Sequence, residues 1–242
     1  MSPQTFVHAL LRQVCLVTTI ALAGAIGVRA QEAAPPAYLA SVTGEATLER
    51  DGVAEPATRN MPFVPGDRVR TAAGRVEIVF PDGSGIEVGE HSEVEAVSAT
   101  RVRLLAGTMD HIQRQAPTSQ SADYLPQDLQ TYGNTFDQYG SWQHDPSYGN
   151  VWYPSVGPEW RPYSYGSWSP IRSYGWTWIG LDAWAWPTHH YGRWGYARNS
   201  WFWIPGRVWA PAYVSWASAP GYVSWCPLGF DERAVFMSKE LE

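Results

Sequence analysis

The side chains best suited to chemistry in this 242-residue chain are the indoles and phenols of its second half. All 14 tryptophans lie between Trp142 and Trp225. Flat aromatic faces can stack on sugar rings, and amphipathic Trp and Tyr are also frequent at protein interfaces. The plainest alternative is a hydrophobic core, since each ring supplies about 150–250 Å² of apolar area. These aromatic residues could therefore either bind a ligand by stacking or pack together as a hydrophobic core.

Acid–base catalysis is poorly supported. The stretch from 139 to 225 holds three carboxylates, Asp145, Glu159 and Asp182. Asp145 and Asp182 lie in turn-like sequence, which favours turn capping over the paired carboxylates that glycoside hydrolysis requires. We therefore expect no catalytic residue and no enzyme activity.

Metal and cofactor sites are not predicted either. His189 and His190 are adjacent, and adjacent side chains of a strand point to opposite faces, so these two would rarely bind one ion. We expect His190 to donate a hydrogen bond among the aromatic residues. Cys226 is the one cysteine after the first thirty residues, and the sequence has no phosphate-binding or dinucleotide-binding glycine motif. No metal and no cofactor are expected.

A period of 26 residues organises the aromatic region. Tyr139-Gly140-Ser141-Trp142 recurs as Tyr165-Gly166-Ser167-Trp168 and as Tyr191-Gly192-Arg193-Trp194, and a degenerate fourth copy begins at Trp209. A fixed period indicates a repeated supersecondary unit. Tryptophans two residues apart, as in the pairs 176/178, 184/186 and 201/203, indicate strands with one aromatic face. We predict short β-hairpins in which the three repeated glycines occupy equivalent backbone positions.

One small sheet cannot bury every ring of these repeats on its inner face. We therefore predict that some rings form an exposed stacking surface for a polysaccharide or peptidoglycan. The residues assigned to this surface are Trp142, Trp168, Trp194, Tyr165 and Tyr191. A purely structural aromatic core and an interface with another envelope protein remain open as alternatives.

Residues 38–112 show the period-two alternation of half-buried β-strands. Apolar residues alternate with other residues in four runs, Val76–Phe80, Ile86–Val88, Val94–Ala96 and Val102–Leu104. Turn sequences separate strands at Asp51-Gly52 and at Pro81-Asp82-Gly83-Ser84. Together with the predicted hairpins, this pattern indicates a mainly β fold.

The N-terminal half resembles the FecR domain of bacterial envelope proteins. The resemblance covers about residues 38–110, and the motifs that carry it are Gly66-Asp67 with Thr71, Asp82-Gly83-Ser84 and Leu104-Leu105-Ala106-Gly107. The second half resembles a Trp- and Tyr-rich module of undetermined function often found downstream of FecR domains. Its motifs run from Tyr139-Gly140-Ser141-Trp142 to Trp225-Cys226-Pro227-Leu228-Gly229. The resemblance implies a periplasmic or surface β module, and it implies no activity for the second half.

The first thirty residues are expected to be a secretory signal peptide. Arg12 precedes an apolar stretch of about 15 residues that ends near Ala30, which is shorter than the roughly 20 residues of a membrane-spanning helix. A retained membrane anchor is the alternative. Cleavage would remove two arginines and no acid, so the net charge would change from −6 to −8. An acidic chain argues against a nucleic-acid partner.

The predicted organisation has six parts: a signal peptide (1–30), a leader (31–37), a FecR-like β domain (38–112), a linker (113–131), a Trp/Tyr-rich β-repeat module (132–230) and a C-terminal tail (231–242). The functional hypothesis is an exported, non-catalytic cell-envelope protein that binds glycan or cell wall through its aromatic repeats. It would be periplasmic or extracellular, with no stable membrane span after cleavage. The alternative is an envelope regulatory or assembly protein that binds another protein.

Overall fold

The computed structural model describes residues 34–112 and 118–236. The predicted signal peptide and residues 113–117 of the predicted linker lie outside these ranges. Within them the chain is mainly β, with antiparallel pairing between all its partnered strands, so the predicted fold class is confirmed. The described residues belong to one compact unit.

The N-terminal strands form one antiparallel sheet. They are β1 (Ala37–Arg50), β2 (Val53–Pro56), β3 (Pro62–Phe63), β4 (Arg68–Val79), β5 (Gly85–Val88), β6 (Glu93–Ser98), β7 (Arg101–Ala106) and β8 (Met109–Ile112). The long strand β4 pairs with β1 along one side; along the other it pairs first with β6 and then with β5. The predicted alternation is confirmed in the centre of the sheet, where Val76, Ile78, Ile86 and Val88 are fully buried.

Strand β7 departs from the predicted alternation. Leu104 is exposed although the pattern placed it on a buried face, and its neighbour Leu105 is exposed as well. The reason is position in the sheet, because β7 pairs with β6 and with no other described strand. Both faces of an edge strand can be exposed to solvent even when apolar and polar residues alternate along it.

Both predicted turns of this sheet are confirmed. Asp51 and Gly52 connect β1 to β2 with positive φ angles of 51° and 80°, as a two-residue hairpin turn requires. Asp82 lies between β4 and β5, where its carboxylate accepts hydrogen bonds from the Ser84 amide at 2.9 Å and the Ser84 hydroxyl at 2.6 Å.

The motif Gly66-Asp67 with Thr71 has a structural role. Asp67 is buried, forms an ion pair with Arg50, and accepts a hydrogen bond from the Val64 amide at 2.9 Å. Burial raises the pKa of Asp67, while the hydrogen bond from Arg50 opposes that rise. The Thr71 hydroxyl donates to the Gly89 carbonyl at 2.6 Å. These contacts fix the loops at both ends of the sheet.

The described part of the predicted linker is folded. It contains the 3-10 helices η1 (Ser121–Tyr124) and η2 (Gln127–Tyr132), followed directly by helix α1 (Gly133–Tyr139). Leu125 and Leu129 are buried in the same cluster as the tryptophans of the second half. The segment from residue 118 onward is therefore anchored to the hydrophobic core through these two leucines.

Four β-hairpins follow, in agreement with the predicted repeat. Their strands are β9 (Gly140–Asp145), β10 (Gly149–Pro154), β11 (Gly166–Ile171), β12 (Gly175–Gly180), β13 (Arg193–Ala197), β14 (Ser200–Ile204), β15 (Val214–Ala219) and β16 (Tyr222–Pro227). Every hairpin places two tryptophans directly opposite each other, in the pairs 142/152, 168/178, 194/203 and 216/225. Strands β10 and β14 also pair, which joins the first and third hairpins into one four-stranded sheet.

The repeated glycines explain why the period is kept. A Cβ atom on Gly140 would lie 2.5 Å from Cζ2 of Trp152, one on Gly166 2.7 Å from Cζ2 of Trp178, and one on Gly192 2.8 Å from Nε1 of Trp203. Each glycine thus lies under the opposite indole of its own hairpin, and the predicted equivalence is confirmed for packing. The φ angles differ, at −174°, +155° and +69° in that order.

The prediction of a strand across Trp184 and Trp186 is wrong. Residues Ala185–His190 form helix α2 between the second and third hairpins, with Trp184 as its N-cap. Pro187 lies in the first turn of this helix, where its missing N–H has no intrahelical partner to lose. The whole segment is buried, so its aromatic side chains pack against neighbours on several sides of the helix.

The two halves of the chain share their packing. Ile179 of β12 belongs to the hydrophobic core of the N-terminal sheet. Tyr38 of β1 stacks on Trp186, with ring centroids 4.0 Å apart and planes inclined by 10°. Asn60 donates a buried hydrogen bond of 2.8 Å to the Gly180 carbonyl.

Candidate functional site

The five residues predicted to form a stacking surface do not come together on the outside of the protein. Trp194 and Tyr191 are buried, with 1% and 7% of their surface exposed. Trp142 and Trp168 are half-buried, and Tyr165 is exposed. The expectation of an exposed face is therefore wrong for Trp194 and Tyr191, because the inner face of the four-stranded sheet is covered by the rest of the aromatic core.

Other segments also cover Trp142 and Trp168. The indole of Trp142 donates to the Ser121 hydroxyl at 2.7 Å and packs against Tyr124, both in η1. Trp168 packs against Trp216 of the fourth hairpin, with ring centroids 4.5 Å apart. The residues that cover these two indoles come from outside each repeat, so the periodicity of the hairpins alone could not predict them.

Partly exposed aromatic residues occur instead around a cleft that is lined by residues from all four strands of the four-stranded sheet. The cleft has a volume of ≈ 480 Å³ and lies between the loop that follows β10 and the turn that joins β13 to β14. We call it the aromatic cleft. Its aromatic members are Tyr153, Trp160, Tyr196 and Trp201, and its polar members include Gln143, Arg198 and Asn199.

Local strand geometry positions the rings of the aromatic cleft. Tyr153 follows Trp152 in β10, so its side chain points to the opposite face from that buried indole. Tyr196 is paired with Trp201 across β13 and β14, and their ring centroids are 5.0 Å apart. The Tyr196 hydroxyl donates to Oδ1 of Asn199 at 2.8 Å.

The indole of Trp160 is held in place by residues outside the cleft. Its indole N–H donates to Oδ2 of Asp182 at 3.2 Å, and its ring contacts that of Trp194 at a centroid distance of 5.3 Å. Burial raises the pKa of Asp182, and the hydrogen bond from Trp160 opposes that rise. The Asp182 side chain therefore orients an aromatic ring, rather than acting as the predicted turn cap.

The turn at the mouth of the cleft has an unusual backbone. Arg198 and Asn199 form the two-residue connection of the third hairpin, and both are left-handed, with φ angles of 51° and 61°. Asparagine accepts this conformation readily, whereas arginine seldom adopts it. Backbone strain of this kind often accompanies functional sites.

The electrostatics of the cleft favour hydrogen-bond donation. Burial raises the pKa of the Tyr153 phenol, and the positive charge of Arg198 opposes this rise. Tyr153 therefore keeps its hydroxyl proton at neutral pH. The indole nitrogen of Trp201 is buried and has no hydrogen-bond partner among the described residues.

Sequence reasoning missed Tyr153, Tyr196 and Arg198. A usable signal was present for Tyr153, since a residue beside a buried strand tryptophan must face away from it. A second signal was the pair Arg198-Asn199 between two strand-like runs, which is a turn position. Neither signal could show that the two places meet in one cleft.

The remaining sequence-based expectations concern polar residues. Asp145 caps its turn as predicted, accepting hydrogen bonds from the amides of Ser147 at 2.8 Å and Tyr148 at 3.1 Å. The predicted hydrogen bond of His190 is confirmed, because its Nδ1 lies 2.9 Å from the Ala210 carbonyl. Both histidines belong to α2, however, so the strand geometry assumed for them is wrong.

The two histidines are neutral parts of the core. Burial lowers the pKa of His189 to about 3 and that of His190 to about 4. Nε2 of His189 accepts a hydrogen bond from the Tyr163 amide at 3.2 Å. Across the ranges that the structure covers, no group of three or more His, Cys, Asp or Glu residues is arranged to hold a metal ion.

The fourth hairpin offers a second exposed surface. Tyr222 and Val223 at its tip are exposed, as is Trp216 nearer its base. The sequence from 208 to 230 contains no charged residue. At the base, the Trp225 indole donates to the Tyr163 carbonyl at 2.8 Å. Among the described strands, β15 and β16 pair only with each other.

Comparison with known proteins gives a match to one family model and no function. In the described part of the chain, no helix is both long and apolar enough to cross a membrane. No curated protein and no solved structure matches the chain, and no FecR-domain match was found. Residues 133–232, which include all four hairpins, match the family described as "Family of unknown function (DUF6600)".

Proposed function

We propose that the protein is an exported, non-catalytic cell-envelope protein whose aromatic cleft binds a glycan. The observation that carries the proposal is a cleft whose lining includes three half-buried aromatic residues beside amide and guanidinium groups. Trp160 and Tyr196 belong to the tryptophan-rich face of the four-stranded sheet, and Tyr153 belongs to its other face. Ring faces stack on the C–H faces of a sugar, while the polar groups bond to its hydroxyls. A volume of ≈ 480 Å³ lies within the usual range of ligand pockets, about 300–1,000 Å³.

The contrast within the hairpins supports this assignment. Trp152, Trp194 and Trp203 have 0–1% of their surface exposed and hold the sheet together. The rings of Tyr153 and Tyr196, on the same strands, keep part of their surface accessible. Packing thus accounts for the buried tryptophans of these strands, and the cleft tyrosines keep surface that a ligand could contact.

Single substitutions separate binding from packing. Tyr153→Ala and Tyr196→Ala each remove one cleft ring, and we expect retention on an immobilised polysaccharide to weaken about fivefold, since one aromatic contact contributes about 1 kcal/mol. Trp203→Ala removes a core ring and should lower the free energy of unfolding by about 3–5 kcal/mol. Affinity electrophoresis and urea unfolding would give the two readouts.

Trp176→Ala is the matched control, because Trp176 is 60% exposed and lies outside the cleft. It should change neither retention nor unfolding by more than experimental error. Glycan retention that survives both Tyr153→Ala and Tyr196→Ala would exclude the cleft as the binding site.

The N-terminal sheet is proposed to be a FecR-like module on an exported chain. The FecR-like motif residues occupy structurally demanding places: Asp67 in the buried ion pair with Arg50, and Asp82 in the turn between β4 and β5. Export is supported by the apolar segment that ends near Ala30. Mass spectrometry of the native N-terminus tests the second point, and a protein that retains residues 1–30 would refute cleavage.

The fourth hairpin supports an alternative function, binding of an envelope protein. Its exposed, uncharged strands suit an extended, uncharged partner segment that would add a strand to the edge of the hairpin. Tyr222→Asp and Val223→Asp place charge at the tip and should abolish cross-linking to such a partner. The same changes should leave glycan retention intact, which distinguishes the two functions.

A further inference from the structure

We infer that the aromatic cleft selects glycans that carry a carboxylate, and that Arg198 is the residue that recognises this group. The inference rests on the proposed glycan function and adds the chemical class of the ligand. Its basis is the charge, position and backbone geometry of one side chain.

Arg198 is the sole charged residue among the described residues that line the cleft. The other polar lining groups are neutral amides and hydroxyls. A cleft with one positive group and no described acidic wall favours an anionic ligand over a neutral one of the same shape. A carboxylate is the matching group, because guanidinium binds it through two parallel hydrogen bonds.

Arg198 forms no ion pair with any described residue. Two other arginines of the aromatic half are paired, Arg172 with Asp51 and Arg193 with Glu232. The nearby carboxylate of Asp145 is occupied in capping the turn between β9 and β10 and does not line the cleft. The guanidinium of Arg198 is therefore available to a ligand.

The backbone holds Arg198 at the mouth of the cleft. Ala197 and Ser200 are paired across the hairpin, which leaves only two residues in the turn. Glycine or asparagine would suit both positions better than arginine, given the positive φ of Arg198. The strained residue adds a cation to a cleft lining that also includes Tyr153 and Asn199, whose hydroxyl and amide groups can bond to the remaining oxygens of an acidic sugar.

Uronic acids and amino sugars with a lactyl ether are two kinds of acidic sugar that carry this group. Each has a neutral counterpart with the same ring and linkage. Peptide-free peptidoglycan strands can be compared with chitooligosaccharides, and oligogalacturonate with oligogalactose. Whichever acidic member binds more tightly identifies the source of the carboxylate.

The test measures binding of these four probes to the full chain by titration calorimetry. We expect at least one acidic probe to bind tenfold or more tightly than its neutral counterpart, and 0.5 M salt to reduce that difference. Arg198→Gln should remove the preference, so that each acidic probe and its neutral counterpart bind with equal affinity. Arg161→Gln, which changes an exposed arginine outside the cleft, should keep the preference.

Arg198→Gly provides a second variant that is expected to fold well, because glycine accepts the left-handed turn without strain. It should lose the preference as Arg198→Gln does. Equal binding of acidic and neutral probes by the unmodified protein would overturn the inference, as would a preference that survives both substitutions. Failure of all four probes to bind would instead count against the proposed glycan function.

Discussion

His189 and His190 make the stability of the protein depend on pH. Both are neutral in the folded chain because burial lowers their pKa values to about 3 and about 4, whereas an unfolded histidine titrates near 6.5. The unfolded state therefore binds more protons below pH 6.5, and the free energy of unfolding falls as the pH falls towards 4. Each histidine contributes a slope of about 1.4 kcal/mol per pH unit in that window.

Urea unfolding between pH 7.5 and 4.5 measures this slope. Buried Asp67 and Asp182 act in the opposite direction, because burial raises their pKa values, so the comparison should be made between variants. His190→Gln should reduce the slope by about 1.4 kcal/mol per pH unit, whereas His144→Gln, on an exposed side chain, should leave it unchanged. An unaltered slope in His190→Gln would mean that His190 has the same pKa in the folded and the unfolded chain.

The ion pair between Arg50 and Asp67 predicts an asymmetric response to mutation. Asp67 is 2% exposed and Arg50 11% exposed. Asp67→Ala leaves a buried guanidinium without its partner, and we expect a loss of about 3–5 kcal/mol in the free energy of unfolding. The double variant Arg50→Met/Asp67→Leu should lose less, because it buries no unpaired charge. A double variant less stable than Asp67→Ala would show that the pair stabilises the sheet beyond charge compensation.

Residue types predicted local roles better than they predicted exposure. The turn cap of Asp145 and the hydrogen bond of His190 follow from the chemistry of the side chain and its immediate sequence. The burial of Trp194 and Tyr191 depends on which distant segments cover them, and spacing along a strand carries no information on that point. The predicted site residues are aromatic, as are several residues of the candidate cleft, but none of the five predicted residues lines that cleft.

At the scale of the hairpin, the glycines of the repeat predict a graded cost of substitution. Gly140→Ala, Gly166→Ala and Gly192→Ala each force a methyl group against an opposing indole and a strand carbonyl. Such overpacking costs about 1–3 kcal/mol, and positive φ adds strain at Gly166 and Gly192. Thermal unfolding of the three variants should show lower melting temperatures than the unmodified protein.

Gly157→Ala is the control for this series. A Cβ at Gly157 would meet no atom within 4 Å, so the substitution should be neutral or slightly stabilising through the unfolded state. If Gly140→Ala behaves like Gly157→Ala, the repeat does not depend on close packing under the indole.

The sequence predicted the hairpins because their signals are local. Alternating residues, turn glycines and a fixed period act within about 26 residues. Helix α2 was missed because the tryptophans of this segment mimic strand spacing while its neighbours bury it on all sides. The folded state of η1 and η2 was missed for a related reason, since Leu125 and Leu129 are isolated apolar residues in polar sequence.

At the scale of the whole molecule, the N-terminal sheet and the aromatic module depend on each other. Ile179 fills part of the core of the sheet, and Tyr38 completes the aromatic cluster. The sequence pattern changes between residues 112 and 132, but residues from both sides of this boundary pack in the same clusters. The N-terminal sheet and the aromatic half are therefore expected to unfold together.

This interdependence predicts the behaviour of a nicked chain. A protease site introduced between Gln113 and Pro117 allows the chain to be cut between the two described ranges. We expect both fragments to elute together in native size-exclusion chromatography, because the Tyr38–Trp186 stack and the Asn60–Gly180 hydrogen bond do not require a continuous chain. Adding Tyr38→Ala and Asn60→Ala should promote separation, whereas Val53→Ala, on an exposed strand, should not. Fragments that separate without any substitution, each with its own cooperative melting transition, would show that the halves are independent domains after all.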